Sequence, residues 1–505
     1  MTTDAKAAPQ ATLMGHPTGL FTLFFAEMWE RFSYYGMRAL LVFYMIKGFL
    51  GYGDKQAYAV YGAYGALVYA TPYIGGMLAD RLLGARRAVV LGGLLMAGGH
   101  LLMTIENETT FFLALALLIV GNGFFKPNIS TIVGSLYPEG SVKRDAGFTL
   151  FYMGINLGAA MSPVVCGYVG ETYGWHYGFG LATAGMLVGL AVFVAPIWLT
   201  QVLILGGALS TAIAMPFFQD SLLQLGVRIF LGIALAVAGI FAFKALARGG
   251  LPEDAGATPN PEALTEKIGG FLRKDWAVYL GTLIAIPLLA LLVGQHKLAG
   301  YTLSIFGGLA FLFLIVEAMR SEKVERERMF VVLILMFFSM LFWAFFEQGG
   351  SSINNFTDRN VDRVFEAQVI GADDVGKTME ITLNQEQFGR NMGEKLVTLT
   401  MVEELQAADK DTVQWTITEN DVGMGVGGAV IPASEFQAAN PIFILIFGLL
   451  FTALWGFLGA RGLEPSTPVK FSLGLLQLGL GFGALWIGAQ NADARGMVGL
   501  SWLLL

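Results

Sequence analysis

Glu27-Met-Trp-Glu30-Arg31-Phe-Ser-Tyr34-Tyr35-Gly-Met-Arg38 lies inside an otherwise apolar run, residues 20–50. A run of that length can cross a bilayer as a helix, which takes about 20 residues. Positions 27, 30, 31, 34 or 35 and 38 recur at helical spacing, so their side chains form one stripe. Two carboxylates, two guanidinium groups and a phenol thus share one face of a membrane helix. A single charge at that depth costs roughly 2.5–3.5 kcal/mol even on lenient insertion scales. The stripe must therefore face protein or water rather than lipid. A packing network of satisfied ion pairs would account for any one of these groups. Five together point to function, and carboxylates beside arginines in a cavity can take up and release protons.

The rest of the chain belongs to the same class. Of 505 residues, 55% are hydrophobic and 14% charged, against about 25% charged in soluble domains. The 65 glycines suit close helix approach in a membrane. The lone cysteine, Cys166, excludes an intrachain disulfide. Residues 1–19 are polar without the shape of a signal peptide, so they are expected to be a cytoplasmic tail, with the first span acting as insertion signal.

Apolar runs fall at 20–49, 56–79, 87–105, 110–135, 146–170, 177–196, 197–217, 224–246, 276–293, 300–319, 329–349, 440–460 and 471–489. Another begins near Met497. Runs of this kind satisfy their backbone in lipid only as helices; barrel strands would alternate. With the N-terminus inside, the loops at 81–87, 143–144, 244–274, 320–328 and 461–470 are cytoplasmic, and all are rich in Lys or Arg. The loops marked by Asn107, Asp220 and Asn491 are poor in them, and His296-Lys297 is the exception, so the positive-inside rule holds through the chain. Pro196 is the expected break between the sixth and seventh runs.

Residues 357–437 differ. They carry 15 acidic and 6 basic residues, net −9, against −7 for the whole chain. The stretches 379–383, 396–401 and 413–418 alternate with period two, as half-buried strands do. A small β-rich extracytoplasmic insert is the expectation.

Gly75-Gly-Met-Leu-Ala-Asp80-Arg81-Leu-Leu-Gly84-Ala-Arg86-Arg87 resembles the loop signature of the major facilitator superfamily. Asp80, near a helix end, is expected to pair with arginines such as Arg81 and Arg86 or with a neighbouring helix terminus, latching one half to the other. Two more motifs follow. In Gly121-Asn-Gly-Phe-Phe-Lys126-Pro127-Asn128, a buried cation precedes a proline that frees a backbone carbonyl. In Phe151-Tyr152-Met-Gly-Ile155-Asn156-Leu-Gly158, Asn156 offers donors and an acceptor inside the membrane.

Together with Glu27-x-x-Glu30-Arg31, these motifs resemble the proton-dependent oligopeptide transporter family, bacterial type. The resemblance resumes at Phe342-Trp343-Ala-Phe-Phe-Glu347-Gln348 and Asn440-Pro441. It implies an all-α polytopic membrane protein of the major facilitator fold, two helical bundles around a central cavity. It further implies that Glu27, Glu30 and Arg31, with Lys126 as partner, couple protons. Arg38 would pair with Glu347 across the cavity. Arg31, Tyr35 and Lys126 would hold a peptide carboxylate, Asn156 and Asn440 its amine end, and Trp343 would line a side-chain pocket. The expected division is a tail at 1–19, a first bundle at 20–196, inserted segments at 197–327 and a second bundle at 328–505, with 357–437 as its insert.

The sequence departs from the family pattern in three ways. The helix-two histidine of mammalian-type members is replaced by Gly62, so coupling falls to carboxylates. Four apolar runs, not the two common in bacterial members, separate the halves. The text also stops at residues 501–505, just inside the tenth family helix. No P-loop, metal cluster or nucleophile triad is present, so neither enzyme chemistry nor ATP drive is expected. The expected function is proton-coupled symport of di- and tripeptides by alternating access, without a cofactor, in a bacterial inner membrane. A carrier of nitrate or a drug-like molecule is the alternative. The expected partners are small peptides, protons and the bilayer, with no nucleic acid, and the expected state is a monomer.

Overall fold

The computed structural model describes residues 11–505 apart from 142, 220, 366 and 409–411. Residues 1–10 of the expected tail and Asp220 of the expected outer loops lie outside the described residues. The chain builds six long helices first: α1 (Gly19–Lys47), α2 (Asp54–Leu78), α3 (Ala85–Leu102), α4 (Glu108–Ser135), α5 (Arg144–Ser162) and α6 (Trp175–Val194). Helix α5 runs on through a wide turn, Pro163–Gly167, into Tyr168–Tyr173. Two hairpins follow, α7 (Ile197–Ala214) with α8 (Leu222–Leu246) and α9 (Lys274–Gly294) with α10 (His296–Arg320). Then come α11 (Lys323–Phe346), α12 (Ser352–Asn360), an insert containing α13 (Leu399–Ala407), and finally α14 (Ala439–Gly459), α15 (Thr467–Gln490) and α16 (Leu500–Leu504). Among the described residues, ten helices are long and apolar enough by length and composition alone to cross a membrane.

Local chemistry sets the boundaries. Asn107 caps α4 by accepting hydrogen bonds from the backbone of Thr109 and Thr110 at 3.0 and 3.2 Å. Helix α6 stops at Val194 because the residue before a proline is pushed out of the helical region: Ala195 is extended and Pro196 opens α7.

Helix α1 is the axis of the first bundle, buried along most of its length against α5 and α6. Close approach depends on glycine where backbones meet. A side chain at Gly158 of α5 would run into the Met28 carbonyl of α1. One at Gly75 of α2 would run into the Gly123 carbonyl of α4, the carbonyl left without its helical donor by Pro127. The inserted hairpins take separate places. The α7–α8 pair packs on α6, α1 and α5, whereas α9 packs on α4 and α2, and α10 on α2 and α11.

The insert holds a five-residue antiparallel ladder between β1 (Thr378–Thr382) and β2 (Thr412–Thr416). Shorter pairings join 368–369 to 425–426 and 364–365 to 429–430. Ile381, Trp415, Ile417 and Val397 are buried at its centre. One expected strand is corrected: of 396–401, only Leu396 is extended, and Leu399 begins helix α13. Thr398 accepts a hydrogen bond from the Met401 backbone at 3.3 Å, and Leu399, Val402 and Leu405 recur at helical spacing.

Candidate functional site

The stripe on α1 is buried, with Glu27, Glu30, Arg31 and Arg38 all at most 6% exposed. Arg31 is saturated by its own helix. Its Nε pairs with Glu30 and lies 3.3 Å from Glu27, and its Nη2 donates to Glu30 Oε1 at 2.6 Å. Glu27 Oε2 has no partner among the described residues.

Two turns further along, Arg38 reaches from the helix to Glu347 at the end of α11. Its Nη2 lies 2.9 Å from Glu347 Oε2, and its Nε donates to the Tyr61 hydroxyl at 2.7 Å. Two tyrosines of α2 complete the bridge: Tyr61 donates to Glu347 at 3.2 Å and Tyr69 donates to its other oxygen at 2.9 Å. The Tyr69 ring also lies 5.2 Å from the Lys126 ammonium and 5.5 Å from the Trp343 ring. Lys126 makes no ion pair with any described residue. The polar groups therefore form one connected wall from α4 through α2 and α11 to α1.

Beside that wall is a cavity of about 400 Å³. Tyr35, Arg38, Asn156 and Asn440 line it, together with Phe346 and Asn354. The remaining sequence candidates stand apart. Arg31, Lys126 and Trp343 are not on this cavity wall. Asn156 donates to the Tyr152 carbonyl of its own helix at 2.9 Å.

The loop motif is arranged differently from expectation. Asp80 is exposed and makes no ion pair among the described residues. Arg81 is exposed as well, and Arg86 instead donates to the Pro252 carbonyl at 3.1 Å while its backbone N–H donates to Gly256 at 2.8 Å. Gly84, at φ +80°, lies against the Ala257 backbone. The linker at 252–258 thus takes up Arg86, one of the arginines expected to pair with Asp80.

Sequence reading missed Tyr61 and Tyr69, although their eight-residue spacing puts both on one face of α2. It also missed Arg228 of α8, 1% exposed, whose Nη2 lies 3.1 Å from Glu435 ahead of α14. A lone arginine in an apolar run was the available signal.

The described chain is a multi-pass helical membrane protein of the major facilitator fold, with a charged network beside a cavity that Arg38 lines. A family model described as PTR2, POT family, matches residues 86–196. The uncharacterized transporter YclF of Bacillus subtilis (strain 168) is 31% identical over 505 residues, covering 99% of this chain and 79% of that protein. The peptide transporter YePEPT of Yersinia enterocolitica is 29% identical, with 100% and 80% covered. A crystal structure of a peptide transporter POT in complex with sulfate superposes with a TM-score of 0.65 at 32% identity, covering 99% of this chain and 80% of that one. The chain belongs to the POT family. It is a transporter, not an enzyme. Among the described residues, no group of three or more His, Cys, Asp or Glu side chains is placed to hold a metal ion.

Proposed function

We propose that the chain carries di- and tripeptides into a bacterial cell together with protons, by alternating access. The observation that carries this reading is the Arg38–Glu347 ion pair, which joins the first bundle to α11 beside the cavity. A fully buried pair costs about 3–5 kcal/mol to break by removing one partner, because the other charge is left alone; this pair, with the Glu347 side chain 23% exposed, costs less. Protonating Glu347 removes that penalty for separation: Arg38 loses its anion, and the halves can part. A peptide carboxylate would serve Arg38 as a replacement anion. Coupling needs only that proton and peptide bias the same equilibrium.

The second cluster has the same logic. Glu27 has an oxygen without a partner, and Lys126 is a cation without an anion. Arg31 is held by Glu30 and Glu27 and can meet a peptide only if protonation frees it. Lys126 is thus the first cation available to a carboxylate, with Tyr35, Asn156 and Asn440 on the cavity wall for the rest of the backbone. Trp343, packed against Tyr69, would border a side-chain pocket. In this reading residues 1–19 and the basic loops are cytoplasmic. Residues 20–196 and 328–505 are the two moving units, 197–327 the inserted helices and 357–437 an outer cap. One chain suffices, since the cavity lies within it.

The test is dialanine uptake into liposomes with and without an inward proton gradient. Wild-type protein should accumulate peptide only with the gradient. Glu347→Gln and Glu27→Gln should lose accumulation while retaining peptide exchange. Transport of nitrate with no response to peptide would replace the substrate half of this reading.

A further inference from the structure

A groove of about 730 Å³ runs between α2, α4 and the inserted helix α9. Its walls are apolar side chains and glycines, including Ile74, Leu78, Phe124 and Gly281. It begins at Leu82, Ile268 and Lys274 beside the basic loops and reaches Leu289 on α9. From Lys274 to Leu289 is roughly 22 Å of helix at 1.5 Å per residue, deeper than one leaflet's share of the roughly 30 Å hydrocarbon core.

The mouth has the opposite character. The segments that border it, 79–87 and 266–275, carry six basic and three acidic residues, net +3. Lys274 pairs with Glu266 at 2.6 Å and Arg273 with Asp275 at 2.6 Å. Arg81, Arg87 and Lys267 are exposed and make no ion pair among the described residues. Between Lys267 and Arg273 a glycine turn lifts Phe271, 81% exposed, and Ile268, 51% exposed, beside these cations. Bare apolar side chains among basic ones are the mark of a segment lying in the headgroup layer.

We propose that this groove binds an anionic glycerophospholipid of the leaflet bordering the basic loops. One acyl chain lies between α2, α4 and α9, and the phosphate sits at the mouth among the cations Arg81, Arg87 and Lys267, unpaired among the described residues. A zwitterionic lipid would fill the groove but gain little at the mouth, so charge complementarity selects the occupant. The site fixes α9 against the first bundle and is independent of the substrate carried.

The probes are dioleoylphosphatidylglycerol, dioleoylphosphatidylcholine and inorganic phosphate, each added to delipidated protein in detergent. Bound mass is read by native mass spectrometry, and stability by thermal melting. Phosphatidylglycerol should be retained in preference and raise the melting temperature, while free phosphate does neither. Lys267→Gln should weaken that preference by about five-fold, as loss of one basic residue near a membrane surface does. A side chain at Gly281 meets nothing within 4 Å. Gly281→Phe can therefore fill the groove without disturbing the helix, and it should abolish retention. Ala285→Phe, one turn on, serves the same purpose if that variant does not fold. Equal retention of the two lipids, or retention undiminished in both filled variants, overturns the proposal.

Discussion

Tyr69 touches three of the groups that matter. Its hydroxyl donates to Glu347, its ring faces Lys126, and it packs at a tilt against Trp343. Tyr69→Phe removes only the first of these contacts. A hydrogen bond to a charged group contributes roughly 1.5–3 kcal/mol, and less where water competes, as it does at this half-open site. Gradient-driven uptake should fall by up to about ten-fold in this variant while peptide exchange persists, as measured in the same liposomes. Uptake equal to wild type would show that the hydroxyl has no part in the coupling. The charged stripe of α1 was legible in the sequence because its members lie within one helix, where spacing alone fixes their face. Tyr69 was not, because its partner Glu347 is 278 residues away and tyrosine is an ordinary residue in a membrane helix.

Elements were legible for the same reason and to the same limit. Apolar runs, Pro196 and the alternation around 379 and 413 are local signals, and helices and strands stand there. Residues 396–401 satisfy both periods, and packing of Val402 against the insert core decided for helix. What sequence could not supply is how elements meet. Arg228 of α8 reaches Glu435 ahead of α14, while Gln224 donates to the same carboxylate at 2.7 Å. Arg228→Met leaves Glu435 buried without its cation and should lower stability by about 3–5 kcal/mol. Adding Glu435→Gln should recover most of that loss, a comparison that thermal melts of the two variants make directly. In the insert, burial works to raise the Asp421 pKa. Hydrogen bonds from the Thr418 hydroxyl and backbone, from the Trp415 indole, and the charge of Arg390 outweigh it, so the carboxyl titrates below its ordinary value. An aspartate lowered in this way stabilises the fold above its unfolded pKa, about 3.9. That contribution is lost as pH falls through the lower, folded value. Hydrogen exchange across 376–417, corrected for intrinsic rates, should therefore show protection falling below about pH 4. Asp421→Asn should show weaker protection at pH 7 and a smaller acid step.

At the scale of the molecule, the polar contacts that α12 and the segment before α14 make with the first bundle gather on the face that carries the insert. Lys47 at the end of α1 holds Asp358 at 2.6 Å, and Asp54 at the start of α2 holds Arg359 at 2.7 Å. Asn354 donates to the Ala39 carbonyl at 3.2 Å, and the Ser434 backbone donates to Glu171 at 2.8 Å. Arg38–Glu347 belongs to the same series of contacts. In the alternating-access cycle proposed above, such a face opens once per cycle and these contacts part together. The exposed member, Asp54–Arg359, contributes little by itself, about 0–1 kcal/mol, which suits a contact that forms and parts repeatedly. A covalent tie would not part. Asp54→Cys with Arg359→Cys places two thiols across this face, and Cys166, 0% exposed, does not compete for reagent. A short thiol cross-linker with a reducible bond should stop peptide uptake and exchange alike, and reductant should restore both. Uptake continuing at the wild-type rate in cross-linked protein would mean that this face stays shut throughout the cycle, and the moving contacts would have to be sought elsewhere.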